Sequence, residues 1–206
     1  MLYNYVAIER EYGSGGRIIG ELTAKECSMS CFSREIPELV SDELSIPVKQ
    51  IEEIEEKATN SFLYSIFLIS NALTANPELI SSEDRIYIAQ QNIIKKLAYK
   101  GPAVFVGRCA ACALRDRNDV LRVFIRCDMS KKIERCINEY GLPPDNIEAL
   151  IKKQDKKRSD FYYANTTRRW NSPENYDIVL DSGTLGTEGC KEAIKGLLRM
   201  KSEYDL

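Results

Sequence analysis

The stretch IEREYGSGGRIIGEL (Ile8–Leu22) places three glycines, Gly13, Gly15 and Gly16, between an apolar run and a helix-like pattern. A strand, a glycine-rich turn and a helix bring backbone N–H groups and the positive end of the helix dipole to one point, where a phosphate group can bind. Glycine suits such a turn because it adopts positive φ and lets a ligand approach the backbone. The stretch therefore predicts either a phosphate-binding loop or a tight strand-to-helix connection without a ligand.

The loop departs from the phosphate-loop consensus G-x-x-x-x-G-K-[ST] at three of its four fixed positions. When Gly16 is aligned with the last glycine, Glu11 replaces the first glycine, Arg17 the lysine and Ile18 the hydroxyl residue. Arg17 keeps the positive charge and can bind two phosphate oxygens with its planar guanidinium. Neither Ile18 nor Ile19 supplies the hydroxyl that normally binds magnesium. The dinucleotide-binding pattern G-x-G-x-x-G fits poorly, since Ile18 stands where its third glycine belongs.

Length and charge restrict the class of protein. The 206 residues suffice for one α/β domain, and the formal net charge of -2 gives no sign of a nucleic-acid polymer as partner. Any anionic ligand must therefore be bound by a local basic cluster. The chain has no histidine, which removes the usual acid/base group at neutral pH and the commonest metal ligand.

The cysteines and the apolar runs bear on metal binding and location. Seven cysteines include one C-x-x-C pair, Cys109 and Cys112, but without a second pair or a histidine we interpret them as buried small residues rather than zinc ligands. The opening MLYNYVAIER lacks the pattern of a secretory leader, and no apolar run reaches the length of a membrane span. We expect a reduced, cytoplasmic protein with no membrane partner.

Apolar runs and helical periodicities alternate along the chain. The runs predict strands at Tyr5–Ile8, Met29–Ser33, Pro102–Gly107, Val120–Ile125 and Tyr176–Asp181. The periodicities predict a helix after Gly16 and helices at Ile51–Leu73, Ile86–Leu97, Met129–Glu139, Asp145–Tyr163 and Thr187–Met200. Strands that alternate with helices indicate a parallel sheet covered on both faces.

Four segments in this order resemble the cytidylate-kinase-like family, a branch of the nucleoside monophosphate kinases. They are the glycine loop, VFVGRCAACALRD (Val104–Asp116), KKQDKKRSDFYY (Lys152–Tyr163) and ENYDIVLDSGTLGTEG (Glu174–Gly189). The pattern REYGSGGR is itself characteristic of that branch, so Arg17 resembles the family's own variant. The resemblance implies one α/β domain over residues 1–206 with a three-layer P-loop kinase-like fold and a five-stranded parallel sheet of order 2-3-1-4-5. It also implies a helical acceptor-binding region at about 34–98 and a lid at about 143–172.

The resemblance implies two arginines in the acceptor site, Arg108 and Arg34. Arg108 follows Gly107 at the end of the third strand, and a charged residue at that place needs an anionic partner or solvent. The carboxyl ends of parallel strands open into the ligand crevice of such sheets, which agrees with the implied role. Ordinary cytidylate kinases have an acid after this Gly-Arg pair, whereas this chain has Cys109, which puts recognition of a cytosine ring in question.

The resemblance also implies a basic lid. Asp155 and Arg158 match the D-x-x-R end of the lid and share one helix face at spacing i, i+3. The earlier lid arginine aligns with Ile151, so Lys152 or Lys153 substitutes for it or the contact is absent. The surrounding segment is the most basic part of the chain, which favours contact with phosphate over a solvated helix face.

Several other side chains on the predicted helices have a structural interpretation. Gln90 and Gln91 are interpreted as surface residues rather than contacts to a base. Tyr162, Tyr163 and Trp170 are interpreted as packing residues in the lid. None of these five therefore enters the predicted site.

The function that the resemblance implies is ATP-dependent phosphoryl transfer to a small acceptor, a nucleoside monophosphate such as CMP. The donor phosphates would be bound by the loop, Gly13, Ser14, Gly15, Gly16 and Arg17, with Mg2+ bridging them mainly through water. Arg158, Lys152 and Asp155 would complete the catalytic set with Arg17. Such transfer needs positioning and charge neutralisation, so the absence of histidine is no obstacle.

Two alternatives remain open. A kinase-like protein that binds a nucleotide or another phosphorylated ligand without turnover is favoured by the absent loop hydroxyl and the absent first lid arginine. A small-molecule kinase with a non-nucleotide acceptor is permitted by Cys109 in place of the acid.

Overall fold

Strands and helices alternate along the residues that the computed structural model describes, which are 3–57 and 82–200. The strands are β1 (Tyr5–Arg10), β2 (Ser30–Phe32), β3 (Ala103–Val106), β4 (Val120–Arg126) and β5 (Ile178–Asp181). The α-helices are α1 (Gly16–Glu26), α2 (Glu35–Leu44), α3 (Val48–Lys57), α4 (Ser82–Ala98), α5 (Ala110–Ala113), α6 (Met129–Asn138), α7 (Ile147–Thr166) and α8 (Ser182–Arg199). A short 3-10 turn covers Pro173–Asn175.

The strands form one parallel sheet of order β2-β3-β1-β4-β5. This confirms the predicted fold class and strand order. Ile8 of β1 is in register with Val106 of β3 on one side and with Val123 of β4 on the other. Because all strands run the same way, the residues that follow β1, β3 and β4 meet at one edge of the sheet, the carboxyl edge.

Each face of the sheet buries its own apolar cluster. On β1, Val6 and Ile8 point to the face covered by α1 and α8, and Tyr5 and Ala7 point to the face covered by α2, α3, α4 and α5. Successive side chains of a strand alternate between the two faces of the sheet, and here both faces are buried. A strand buried on both sides must be apolar throughout, which is why these strands are visible as continuous apolar runs.

The predicted elements agree with the structure except at a few places. The helix predicted at Ile51–Leu73 is present to Lys57, and its remainder lies outside the described residues. Helix α2 is not predicted from the sequence. Helix α8 starts five residues before its predicted start, but Gly186 (φ +67°) interrupts it, so regular helix begins at Thr187 as predicted. Among the described helices, none combines the length and apolar character needed to cross a membrane.

The interpretation of Gln90 and Gln91 as surface residues was wrong. Gln90 is fully buried and Gln91 is 8% exposed in α4. Gln91 Nε2 donates a hydrogen bond of 3.3 Å to the carbonyl oxygen of Arg108. Both glutamines lie on the face of α4 that packs towards the sheet, so the helix carries polar groups inward where β3 ends.

Helix α1 packs closely against the sheet at Gly20. A Cβ atom at this position would lie 2.8 Å from Val106 Cγ2 and 3.4 Å from Ile8 Cδ1. Both contacts belong to buried β-branched side chains that have little freedom to move. The glycine therefore sets the distance between the sheet and the helix that begins in the glycine loop.

We expect Gly20→Ala to lower the free energy of unfolding by about 1–3 kcal/mol, since the added methyl group overpacks the interface between α1 and β3. The matched control is Gly196→Ala in α8, where nothing lies within 4 Å of the new Cβ. That substitution should raise stability by about 0.5–1 kcal/mol through helix propensity. Urea unfolding of both variants measures the difference, and equal stabilities would contradict the close packing at Gly20.

Candidate functional site

A cleft of about 820 Å³ opens at the carboxyl edge of the sheet. The glycine loop forms one wall, α2 and the start of α3 form another, and the segment between α6 and α7 closes the third side. Among the described residues its charged lining consists of five arginines and three glutamates: Arg10, Arg17, Arg34, Arg108, Arg158, Glu11, Glu38 and Glu139. A chain of net charge -2 thus concentrates positive charge at one place, as an anionic ligand requires.

The loop that follows β1 has the geometry predicted for a phosphate-binding turn. Gly13 and Gly15 both have φ of +76°, a conformation that side chains rarely adopt. A Cβ on Gly13 would also lie 3.0 Å from Cys136 Sγ. Gly15 is the N-cap of α1, and no side chain caps the helix. The first-turn N–H groups of α1 therefore face the cleft wall without an intrahelical acceptor, where an anion can accept from them.

A buried lysine anchors the start of the loop. Lys132 of α6 has a side chain only 6% exposed, and its Nζ lies 3.2 Å from Glu11 Oε2 and 3.1 Å from Asp155 Oδ2. Burial by itself lowers the pKa of Lys132, but Asp155 and Glu11 outweigh that effect and the net shift is upward. Lys132 therefore stays charged and joins the loop, α6 and α7.

The two carboxylates that contact Lys132 also hold the backbone. Asp155 Oδ1 accepts a hydrogen bond of 2.6 Å from the amide of Tyr12. Glu11 Oε2 accepts one of 2.9 Å from the amide of Cys127, at the end of β4. Glu11 stands where the alignment on Gly16 expects a glycine. Its carboxylate joins the start of the loop to the Cys127 amide and to Lys132.

Two further side chains hold the middle of the loop. Arg135 Nη1 donates to the carbonyl oxygen of Gly13 at 2.8 Å, and Ser182 Oγ donates to that of Ser14 at 2.6 Å. The hydroxyl of Ser14 donates back to Glu11 O at 2.8 Å, and the residue is fully buried. The carbonyls of Gly13 and Ser14 are thus bound by protein groups, and the amides of Tyr12 and Ser14 donate to Asp155 and to the Glu11 carbonyl. The loop residues that line the cleft are Gly13, Gly15 and Gly16, and their amides can meet a ligand there. Ser14 itself contributes its hydroxyl to loop structure.

Three arginines converge where β1, β3 and α7 meet. Arg158 Nη1 donates to the carbonyl oxygen of Arg10 at 2.9 Å, and its guanidinium lies 5.3 Å from the ring centre of Tyr12. Burial, together with the charges of Arg158 and Arg108, lowers the pKa of Arg10 to about 9. Burial also lowers the pKa of Arg158. The three cations are close enough to repel one another, and an anion placed among them relieves that repulsion.

The turn after β3 holds Arg108 in an uncommon backbone conformation. Gly107, Arg108 and Cys109 have φ of +81°, +60° and +53° in succession. A residue other than glycine costs about 1 kcal/mol or more in this region, so the surrounding structure must enforce it. The bond from Gln91 to the Arg108 carbonyl is one such constraint. Buried Cys109 serves as the N-cap residue of α5, which agrees with its interpretation as a small buried residue.

A buried carboxylate lies behind this turn. Glu9 is 6% exposed and accepts a hydrogen bond of 3.3 Å from Trp170 Nε1. Burial raises its pKa, although Arg10, Trp170 and the backbone of Cys109 act in the opposite direction. Trp170 in turn packs edge-on against Phe124 of β4. Trp170 and Tyr162 are buried, and Tyr163 is 53% exposed, so two of the three lid aromatics pack as predicted.

The structure brings most of the predicted site residues together. Gly13, Gly15, Gly16, Arg17, Arg34, Arg108 and Arg158 all line the cleft. Arg17 lies in the first turn of α1, where its Nε is 3.7 Å from Glu21 Oε1. Arg34 is the N-cap residue of α2, on the opposite wall.

Three predicted residues lie outside the lining, and one of them is the fully buried Ser14, whose hydroxyl bonds within the loop. Lys152 is not part of the lining; its Nζ lies 2.6 Å from Glu148 one turn away, and its side chain is 66% exposed. Asp155 also lies outside the lining, where its carboxylate accepts from the amide of Tyr12 and from Lys132 Nζ. In this arrangement Asp155 positions the loop, and the assignment of Lys152 to the catalytic set stays a prediction.

Arg10 and Lys132 belong to the site but were not predicted. Arg10 had a signal in the sequence, because it is a charged residue at the carboxyl end of a buried strand, the same argument that identified Arg108. Lys132 had none, since its partners Glu11 and Asp155 are 121 and 23 residues away.

The described lining of the cleft suits the phosphates of a nucleotide rather than a magnesium ion bound by the protein alone. Within residues 3–57 and 82–200 no three acidic or cysteine side chains form a cluster that could hold a metal ion. The cleft instead offers guanidinium groups and backbone amides, which bind phosphate oxygens. Magnesium bound by one or two groups completes its shell with phosphate oxygens and water.

Comparison with known proteins assigns the fold and the family. The sequence profile of the cytidylate kinase-like family matches residues 5–184. An uncharacterised protein from Eubacterium ventriosum has a solved structure with a TM-score of 0.67, 24% identity, and coverage of 96% of this chain and 99% of that chain. A search of curated proteins found no significant match.

Two small-molecule kinases have similar structures. Shikimate kinase from Bacteroides thetaiotaomicron has a TM-score of 0.55 at 12% identity, covering 95% of this chain and 98% of its own. A gluconokinase from Sinorhizobium meliloti has a TM-score of 0.54 at 18% identity, covering 96% of this chain and 93% of its own. At these identities the likeness shows a shared fold.

We expect Lys132→Met to lower the free energy of unfolding by about 3 kcal/mol, because it leaves two partly buried carboxylates without their cation. The control is Lys131→Met, whose side chain is exposed and pairs only with Glu134 on the surface, and which should leave the unfolding midpoint unchanged. Since the pKa of Lys132 is raised on folding, its stabilisation is present at neutral pH and is lost only as alkali raises the pH through the folded value. Urea unfolding at pH 7 and in alkali measures both effects, and equal midpoints for the two variants would contradict the anchoring role.

Proposed function

The chain belongs to the cytidylate kinase-like family, and we propose that it transfers the γ-phosphoryl group of ATP to a phosphorylated small acceptor, a nucleoside monophosphate such as CMP. The observation that carries the proposal is the concentration of five arginines around one cleft beside an uncapped helix N-terminus. Phosphoryl transfer asks the protein mainly to position two anions and to neutralise charge in the transition state, and this cleft supplies both.

The glycine loop is the donor side of the proposed reaction. Its amides and the N-terminus of α1 would bind the β- and γ-phosphates, while Arg135 and Ser182 keep the loop carbonyls turned away. Magnesium bound with the nucleotide would neutralise part of the phosphate charge. Lys132 would hold the loop in place without touching the substrate.

Arg108 and Arg34 form the acceptor side. They lie on different elements of the cleft wall, at the end of β3 and at the start of α2. A phosphate group between them would accept hydrogen bonds from both guanidinium groups, which bind phosphate in a planar, two-pronged geometry. Arg158 of α7 would reach the group in transfer from the lid side, because it lies beside Arg10 and Tyr12.

The acceptor is proposed to carry its own negative charge. An oxygen of an ionised phosphate attacks the γ-phosphorus, the bond from that phosphorus to the β-bridging oxygen breaks, and ADP leaves with the electron pair. No proton has to be removed from such a nucleophile. An alcohol acceptor would need a base, yet the chain has no histidine. Two of the three glutamates in the described cleft lining are already paired, Glu11 with Lys132 and Glu139 with Arg135. These features favour a phosphate over an alcohol as acceptor.

The test is a coupled assay of ADP formation with CMP, dCMP, UMP, AMP and shikimate as acceptors, accompanied by calorimetric titration with ATP. We expect turnover with at least one monophosphate and none with shikimate. Turnover with shikimate alone would identify a small-molecule kinase. Binding of ATP without ADP formation from any acceptor would instead identify a nucleotide-binding protein that has no transfer activity.

We expect Arg108→Ala to lower kcat/KM for the acceptor by about 10- to 100-fold, the loss of one or two charge-assisted hydrogen bonds, with little change in affinity for ATP. Arg115→Ala is the control, since Arg115 is 67% exposed and lies after α5, away from the cleft lining. Initial rates over a range of acceptor concentrations measure the effect. Unchanged acceptor kinetics in Arg108→Ala would refute the placement of the acceptor.

A further inference from the structure

The phosphate-loop consensus also fits this chain one residue earlier than the alignment on Gly16. With Gly15 as its last glycine, the first glycine falls on Arg10, the lysine on Gly16 and the hydroxyl residue on Arg17. The structure supports this register, because α1 begins at Gly16 directly after the N-cap Gly15. In this register the chain differs from the consensus in two complementary ways. Arg10 stands where the consensus has glycine, and Gly16 stands where it has lysine.

These two positions occupy the same space. A Cβ atom on Gly16 would lie 2.5 Å from Arg10 Cβ and 2.8 Å from Arg10 Cγ. Neither distance is compatible with two carbon side chains, and the obstruction begins at Arg10 Cβ itself. While Arg10 is present, position 16 must therefore be glycine, and a lysine could return there only if position 10 lost its side chain.

The guanidinium of Arg10 ends between the donor loop and the acceptor arginines. A Cβ on Gly107 would collide with Arg10 Nη1, so the side chain reaches from the end of β1 to the end of β3. Arg108 follows Gly107 directly, and Arg158 donates to the Arg10 carbonyl at 2.9 Å. A phosphoryl group that passes from the loop to an acceptor at Arg108 would travel past this guanidinium.

The charges around Arg10 favour an additional anion. The ion pair between Arg10 Nη1 and Glu9 Oε2 is 3.8 Å long, beyond hydrogen-bond distance. Burial and the neighbouring charges of Arg158 and Arg108 lower its pKa to about 9, so the charged form is strained yet still present at neutral pH. Arg17 also has a long ion pair, 3.7 Å from Nε to Glu21 Oε1 on its own helix, but its side chain is more exposed than that of Arg10, at 38% against 22%.

We propose that Arg10, rather than Arg17, is the cation that binds the transferred phosphoryl group, and that it replaces the loop lysine by reaching the same place from β1. The proposal rests on the proposed function, since it assigns a residue to the donor phosphates of that reaction. It gives Arg10 the role of a catalytic residue, and it explains why the loop has glycine at position 16.

The experiment uses the full chain and four variants: Arg10→Gly, Gly16→Lys, the double variant with both changes, and Arg17→Gln as the rival candidate. Arg115→Ala, outside the cleft lining, is the control. Binding is measured by calorimetric titration with tripolyphosphate, which probes the loop without needing an acceptor. Turnover is measured as ADP formation from ATP and the best acceptor. Thermal unfolding of each variant shows whether it is folded.

We expect Arg10→Gly to weaken tripolyphosphate binding by about tenfold and to lower kcat by about 100-fold or more, the scale of removing a preorganised charge from the reacting group. Gly16→Lys alone should also be impaired, because its side chain collides with Arg10. The double variant should recover at least tenfold in kcat over Arg10→Gly. Arg17→Gln should lose less than Arg10→Gly, and Arg115→Ala should stay at the parental level.

Three results would overturn the proposal: parental kcat and binding in Arg10→Gly, parental behaviour in Gly16→Lys, or a larger loss in Arg17→Gln than in Arg10→Gly. If Arg10→Gly does not fold, a crystal structure of the parent with a non-hydrolysable ATP analogue decides. Hydrogen bonds from Arg10 to a β- or γ-phosphate oxygen support the assignment, and such bonds from Arg17 instead refute it. Arg10-dependent tripolyphosphate binding without turnover would refute the proposed function and leave the assignment standing, whereas turnover that is insensitive to Arg10 would do the reverse.

Discussion

Confinement of positive charge at the carboxyl edge of the sheet is the constraint on which the rest of the structure depends. Arg10, Arg108 and Arg158 lie close enough for their charges to disfavour one another, and Arg10 and Arg158 are also desolvated. The fold offsets this repulsion with the buried carboxylate of Glu9 and with the Arg10 carbonyl, which accepts a bond from Arg158. An anion that enters such a site relieves part of the repulsion among its cations.

The glycine loop and helix α7 share their supports. Asp155 and Arg158 of α7 each bind the backbone at the start of the loop, and Lys132 of α6 joins Asp155 to Glu11. Because these supporting side chains are charged and largely buried, removing one leaves its partners without a counter-charge in a low-dielectric environment. The glycine loop is therefore coupled to α7, so that a movement of α7 would displace groups that hold the loop backbone.

A phosphate-binding loop can keep its chemistry when its local sequence departs from the consensus. A glycine-rich turn needs its φ values and its amides, and Gly13 and Gly15 provide them here. The positive charge next to the phosphates can come from any element that reaches the same point. In this chain the strand residue Arg10 fills the volume beside Gly16, a contact that aligning the loop to a motif does not reveal.

The sequence by itself determined the alternation of strands and helices and several of the residues that line the cleft. Continuous apolar runs identify the strands because both faces of the sheet are dry, and the positions that end those strands identify Arg108. The face shared by Asp155 and Arg158 followed from helix periodicity. Only the tertiary structure decided that Gln91 is buried against the Arg108 carbonyl, that Lys152 turns to Glu148, and that Arg10 and Lys132 enter the site. Periodicity describes which side of its own element a residue occupies, whereas these outcomes depend on partners brought from distant parts of the chain, whose distances arise only when the layers pack.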